Sequence, residues 1–303
     1  VTKTLAALAL LANAFAWGVS WWPFRQLQGY GVHPLWATTF IYALALVGLL
    51  LARPSAFRMF LHTPALWALA VAAGLTNIGF NWAVTVGDVV RVVLLFYLMP
   101  AWVALLAWPM LGEKPSTGSL LRLALALVGV VIILKTPDSP WPWPQNVADW
   151  LALMAGFCFA LTNILLRKLK DTPAVANLLA MFGGGAAMAA LAAWAGMALG
   201  LVPAVPALSP TWLAWVGALS LMFLVGNLGL QYGAARLSAS ATSIIMLSEV
   251  VFASASAVVL GASQVTPSLL AGGALIFVAA AMSTLVTENS GNSALKPEKK
   301  AHA

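Results

Sequence analysis

Apolar residues gather along this chain in ten stretches, each of roughly 17 to 25 residues, the length a helix needs to cross about 30 Å of hydrocarbon. They fall at 4–22, 34–52, 65–86, 89–110, 117–134, 148–166, 174–200, 211–232, 238–260 and 266–286. They are rich in Ala and Leu and lack the period-two alternation of a membrane barrel, so the pattern predicts helices. Polar residues enter these runs at few points, and the points repeat. Asn77-Ile-Gly79-Phe-Asn81-Trp82 returns 150 residues later as Asn227-Leu-Gly229-Leu-Gln231-Tyr232, with amide, glycine, amide and aromatic in register. An i, i+4 pair occupies one helix face. A second match aligns Trp17-Gly18-Val-Ser20-Trp21, ending at Arg25, with Phe159-Ala160-Leu-Thr162-Asn163, ending at Arg167.

Each half therefore holds five predicted spans. Because five is odd, the second copy enters the membrane from the opposite side, and the repeats are inverted. The expected fold is an all-α integral membrane protein of ten transmembrane helices in two inverted five-helix repeats, 1–136 and 148–287. Between them, 137–147 alternates Pro with Trp141 and Trp143 and reads as an extended periplasmic linker. Residues 288–303 turn polar and read as a disordered cytoplasmic tail.

Composition agrees with this class. Hydrophobic residues make up 62% of the chain and charged residues 8%, with a mean hydropathy of +0.94, far from a soluble domain. With both termini cytoplasmic, Lys3, Arg53, Arg58, Lys114, Arg122, Arg167, Lys168, Lys170, Arg236, Lys296, Lys299 and Lys300 lie inside, and Arg25, Arg91 and Lys135 outside. That is the positive-inside bias of a bacterial inner-membrane protein. The net charge of +7 is spread over cytoplasmic loops and tail and calls for no nucleic-acid partner. Ala12-Asn13-Ala14 after Lys3 also resembles a signal-peptide cleavage site. The internal copy of the Trp17 segment argues instead that the first run is core.

Polar groups inside a membrane are costly and mark function. Asn77, Asn81, Asn227 and Gln231 are the first site candidates, since amides offer donors and acceptors to a zwitterion without a fixed charge. Interhelical glue is the alternative reading. Trp17, Trp21, Trp82, Tyr97, Trp102 and Met246, with Asn163 from the second repeat match, are candidates for the walls of a site; packing is the competing role of each. Glu249 stands near the middle of the ninth run, either as a proton-coupling group or as a structural one held by neighbours such as Ser243 and Ser248. Pro100, in the middle of the fourth run, is expected to kink it. Glu113 is read as a gate or as a brace on loop amides or Arg122.

Trp17-Gly18, then Leu94 to Pro100, then Leu111-Gly112-Glu113 after the fourth run resemble the EamA domain of the drug/metabolite transporter superfamily. Within it, the Trp- and Asn-rich third and fourth runs look most like the YddG-type bacterial exporters of aromatic amino acids. The second copy departs from the pattern: Val250 stands opposite Pro100, and Leu260-Gly261-Ala262 replaces Leu-Gly-Glu. The resemblance implies a secondary transporter that exports small metabolites, with aromatic or bulky apolar amino acids as substrates, by alternating access. An exporter of lipophilic cations coupled to protons through Glu249 is the alternative. The partners are then a small molecule, the bilayer and, in that alternative, protons; a monomer is compatible with the plan. No cofactor or metal is expected. HExxH, paired-Cys and phosphate-loop motifs are absent from the sequence, His33, His62 and His302 fall at run ends or in the tail, and Cys158 is alone, so an enzyme is not expected. A receptor or scaffold without solute flux is the remaining class.

Overall fold

The computed structural model describes residues 2–86, 92, 95–134, 144, 146–261 and 266–293. Among these residues the regular secondary structure is all helix, with no strand. In the first half α1 (Thr2–Val19), α2 (Trp21–Gly29), α3 (Pro34–Ala52), α4 (Ser55–His62), α5 (Pro64–Val86), α6 (Met99–Leu111) and α7 (Thr117–Leu134) follow in order. The second half holds α8 (Val147–Lys168), α9 (Ala174–Ala198), α10 (Pro210–Arg236), α11 (Ala239–Met246), α12 (Ser248–Val259) and α13 (Pro267–Ser293). Every predicted apolar run contains helix.

Among the described residues, seven segments are long and apolar enough to cross a membrane: Lys3–Gly29, Pro34–Ala52, Pro64–Ala83, Val147–Lys168, Ala174–Ala198, Pro210–Arg236 and Ala239–Ser256. Three shorter apolar helices, Met99–Leu111, Thr117–Ile132 and Leu270–Ala279, fall in the other three runs. Leu44, Leu51, Leu105, Leu191, Leu221 and Val259 are exposed on the outside, as expected where hydrocarbon rather than water is the solvent. The chain is a multi-pass membrane protein.

Helix ends carry recognisable chemistry. The His33 ring accepts from the Leu35 N–H, with Pro34 in the first turn of α3. Asn146 accepts from the Asp149 N–H at the start of α8. Gly112 closes α6 in the left-handed region at φ 71°, and Gly261 after α12 has the same φ of 71°. The Leu-Gly pair is thus a helix terminator in both halves.

The structure departs from the hydropathy pattern at several points. The ninth run is not one helix: it breaks at Leu247, so Glu249 lies in the first turn of α12 rather than in mid-helix. Pro100 does not kink a helix interior. It sits in the first turn of α6, where a missing N–H is tolerated, and the proline inside that helix is Pro109. An additional short helix, α4, joins the second and third runs. The first run is interrupted at Ser20 and continues as α2. Helix α13 extends to Ser293, past the boundary at 287 expected for the tail. Most of the Pro/Trp linker, including Trp141 and Trp143, lies outside the described residues, as do Leu94, Arg91, Lys135, His302 and the last lysines.

The core is built by crossing the halves. Helix α5 packs on α8 and α9, α10 packs on α1 and α3, α3 lies on α9, α7 on α13, α6 on α8, and α12 on α1. Glycines set the closest of these contacts. A Cβ at Gly229 of α10 would come within 2.6 Å of the Ala9 carbonyl oxygen of α1, and one at Gly79 of α5 within 3.0 Å of the Leu151 carbonyl oxygen of α8. Gly184 of α9 likewise lies directly against the Ala70 carbonyl of α5. Small residues that let backbones touch are how helices associate where hydrocarbon gives no hydrophobic drive.

Candidate functional site

Where α1, α3, α5, α8, α9, α10 and α12 converge there is a cavity of about 50 Å³, enough for a few water-sized spheres. Trp17, Phe80, Phe96, Phe159 and Phe182 supply most of its wall, and Asn77, Asn227 and Glu249 its strongest polar groups; Tyr42, Ala73, Thr76, Thr162, Met181 and Leu230 complete the contact surface. Glu249 is the sole carboxyl-bearing residue among those lining it.

The two asparagines are held alike. The Asn77 side-chain N–H donates to the Ala73 carbonyl at 2.8 Å, and the Asn227 side-chain N–H to the Phe223 carbonyl at 2.8 Å, each one turn back along its own helix. The Asn77 oxygen also accepts from the Tyr42 hydroxyl at 2.9 Å. These bonds fix the amides against their helices, and each residue still faces the cavity. Trp17 is braced by stacking on Phe223, with ring centroids 4.2 Å apart and planes 18° apart. Glu249 pairs with the Tyr97 hydroxyl behind it. Gly18 lets α1 lie against the Glu249 backbone, where a Cβ would come within 2.8 Å of the carbonyl oxygen.

The turn at Leu98, in the fourth run, and the break at Leu247, in the ninth, are built alike. The Leu98 N–H donates to the Leu95 carbonyl at 3.3 Å, and the Leu247 N–H to the Ile244 carbonyl at 3.2 Å, i to i−3 bonds in place of the α-helical i−4. Pro100 has no N–H to offer Phe96, and the Phe96 carbonyl abuts Gly156 of α8 instead.

Among the residues singled out from sequence, Asn77, Asn227, Trp17 and Glu249 meet at the cavity, with Tyr97 directly behind. The others are placed elsewhere. Asn81 donates to the Thr38 hydroxyl on α3. Gln231 lines a separate groove near the C-terminal end of α10. Trp21 donates to the Ser256 hydroxyl at 2.9 Å, and Trp82 packs with Val202 and Leu35. Met246 accepts from the Asn13 amide at 3.4 Å, a turn beneath the site. Trp102 packs against Phe157, centroids 5.7 Å apart, and Asn163 is buried with neither amide atom paired. Glu113 bridges to Arg167 at 3.1 Å and accepts from the Ala239 N–H at 3.1 Å, while Arg167 donates to the Ala235 carbonyl at 2.7 Å. It joins α6, α8 and α11, not Arg122.

Sequence reasoning passed over Tyr42, Phe80, Phe96 and Phe182. A lone tyrosine in the second run was the one available signal; a phenylalanine in an apolar run looks like any other.

Crossed apolar helices around a buried cavity that holds Asn77, Asn227 and Glu249 fit a membrane transporter. Residues 4–135 match the EamA-like transporter family. One solved structure, described as "Crystal structure of protein", superposes with a TM-score of 0.74 at 18% sequence identity, covering 94% of this chain and 99% of that one. At that identity the likeness is one of fold. No curated protein matches the sequence.

Proposed function

We propose that the protein exports small amphiphilic metabolites, aromatic or other bulky apolar amino acids first, by alternating access around the cavity between two inverted five-helix repeats. In this reading it spans the bacterial inner membrane ten times with both termini in the cytoplasm. The observation that carries the proposal is that Asn77 and Asn227, each bonded to the carbonyl one turn back on matched helices, line one aromatic-walled cavity that also presents Glu249. Amides and a carboxyl suit the two ends of an amino acid, and the rings suit its side chain. The crossed packing, α5 on α8 and α10 on α1, supports the inverted repeat. Export, rather than import, rests on the likeness to YddG-type proteins.

A cavity of about 50 Å³ holds only a few water-sized spheres, so an aromatic amino acid needs it to widen. Opening needs hinges. The tightened turns at Leu98 and Leu247, beside Phe96 and Glu249, are the proposed hinge points, in place of a kink at Pro100. The Glu113–Arg167 pair then closes the cytoplasmic end when α6, α8 and α11 come together.

The test is counterflow in proteoliposomes loaded with unlabelled amino acid, following uptake of labelled phenylalanine, tryptophan, threonine and methionine. Uptake by the native chain that Asn77→Ala lowers severalfold at subsaturating substrate is the expected result. No uptake of any of them would sink the amino-acid assignment.

The second reading, proton-coupled export of lipophilic cations, is favoured by one observation: Glu249 faces the cavity among rings able to bind a cation. Sensitivity to Glu249→Gln with indifference to Asn77→Ala and Asn227→Ala would select it. If Glu249 couples transport to protons, Glu249→Gln lowers gradient-driven transport and spares exchange.

A further inference from the structure

A second cavity, about 580 Å³ in volume, opens as a groove where the C-terminal ends of α8 and α10 meet the start of α9 and one side of α1. Lys170 and Arg236 line it, both exposed, and no carboxylate is among the residues that do. Arg236 is held in place: it lies 3.6 Å above the Tyr232 ring and donates to the Tyr232 carbonyl at 3.1 Å. Asp171, beside Lys170 in sequence, is exposed and is not part of the wall.

A further feature points to an anion there, a second to hydrogen-bonding groups beside it, and a third to an apolar tail. Helix α9 begins in the groove at Ala174 without a side-chain cap, so the positive end of its dipole is unanswered. Gln231 is buried with neither amide atom bonded, and the Asn177 side-chain oxygen, also buried, has no donor. Unpaired buried amides cost stability, and a ligand bearing both acceptors and hydroxyl groups relieves that cost. The rim is apolar: Leu5 of α1 and Leu228 of α10 are exposed.

We infer that this groove binds a phosphate ester carrying hydroxyl groups, with a glycerophosphate headgroup as the fitting class. Lys170, Arg236 and the α9 N-terminus take the phosphate, Gln231 and Asn177 take the hydroxyls, and Leu5 and Leu228 accommodate acyl chains when the ester is a phospholipid. The groove is separate from the central cavity, so the inference stands or falls independently of what is transported.

The experiment uses the full chain, purified and stripped of lipid, then offered phosphatidylglycerol or phosphatidylcholine and examined by native mass spectrometry. The expected result is retention of one phosphatidylglycerol and release of phosphatidylcholine. Retention should fall about thirtyfold in Lys170→Gln/Arg236→Gln, the joint effect of two basic residues at a headgroup. Lys170→Gln alone, at an exposed position, gives a smaller fall and guards against misfolding of the double variant. A parallel arm titrates glycerol 3-phosphate and inorganic phosphate in detergent by thermal shift. Binding of these with the same dependence on Lys170 and Arg236 would keep the site and make its ligand a soluble phosphate. Equal retention of both lipids by native and variant chains, with no response to soluble phosphates, would overturn the inference.

Discussion

The amide–glycine segment of α5 and its copy on α10 begin alike and end differently. In both, the first amide faces the central cavity and bonds to the carbonyl one turn back. In both, the glycine two residues on admits a backbone carbonyl from the first helix of the other half. The second amide then diverges. Asn81 is spent on Thr38 of α3, whereas Gln231 lines the outer groove with its amide unpaired. The repeat in the sequence therefore places one cavity-lining amide and one packing contact in each copy, and not a second shared cavity residue.

The largest effect that separates the copies is expected at the glycines. A methyl at Gly229 meets the Ala9 carbonyl at 2.6 Å, whereas one at Gly79 meets the Leu151 carbonyl at 3.0 Å and the mobile end of Met154 at 2.9 Å. Gly229→Ala should lower stability by about 3 kcal/mol and Gly79→Ala by about 1 kcal/mol, the range for overpacking. Thermal unfolding in detergent reads both, and equal losses would erase the distinction.

Next come the cavity amides. Asn77→Ala and Asn227→Ala should each weaken substrate binding about tenfold, the loss of one well-placed hydrogen bond. Asn77→Ala should do more harm, because the buried Tyr42 hydroxyl loses its acceptor as well. Scintillation proximity binding of labelled phenylalanine measures the pair. A larger effect at Asn227 would reverse the proposed asymmetry.

The second amides should respond through stability alone. Asn81→Ala removes the Thr38 bond and costs about 1 kcal/mol, with substrate affinity intact. Gln231→Leu removes an unpaired amide and should leave the melting temperature level or slightly raised. A loss of substrate affinity in either variant would return that residue to the transport site. The smallest effect is expected at Glu113→Gln. Its pair with Arg167 is about a quarter exposed on both sides, so less than about 1 kcal/mol is at stake, and salt should shrink it further.

Much of this was legible in the chain. Long apolar runs located the helices because the hydrocarbon demands them, and Asn77 and Asn227 stood out because an amide in such a run is costly. The break at Leu98 had a signal in Pro100, two residues on, whereas the break at Leu247 was not legible, since no Pro or Gly stands near it in the sequence. The aromatic wall was hidden for a related reason. Phe80, Phe96 and Phe182 differ from other phenylalanines only in converging on one space. Glu113 was visible as a charge, but its partner Arg167 lies across the molecule. The fate of Gln231 was invisible because a match in sequence says nothing about which neighbour each copy faces.

The central claim is that the two halves share one site which opens to each side in turn. It is tested most directly by cysteines at Thr76 and Leu230, both of which line the cavity, in a chain where Cys158 is replaced by Ala. An impermeant maleimide is applied from one side of oriented vesicles and then from the other, with and without phenylalanine. The account predicts that both positions react from both sides in the absence of substrate and that phenylalanine protects both together. Protection of one position but not the other, or reaction from a single side under every condition, would contradict it.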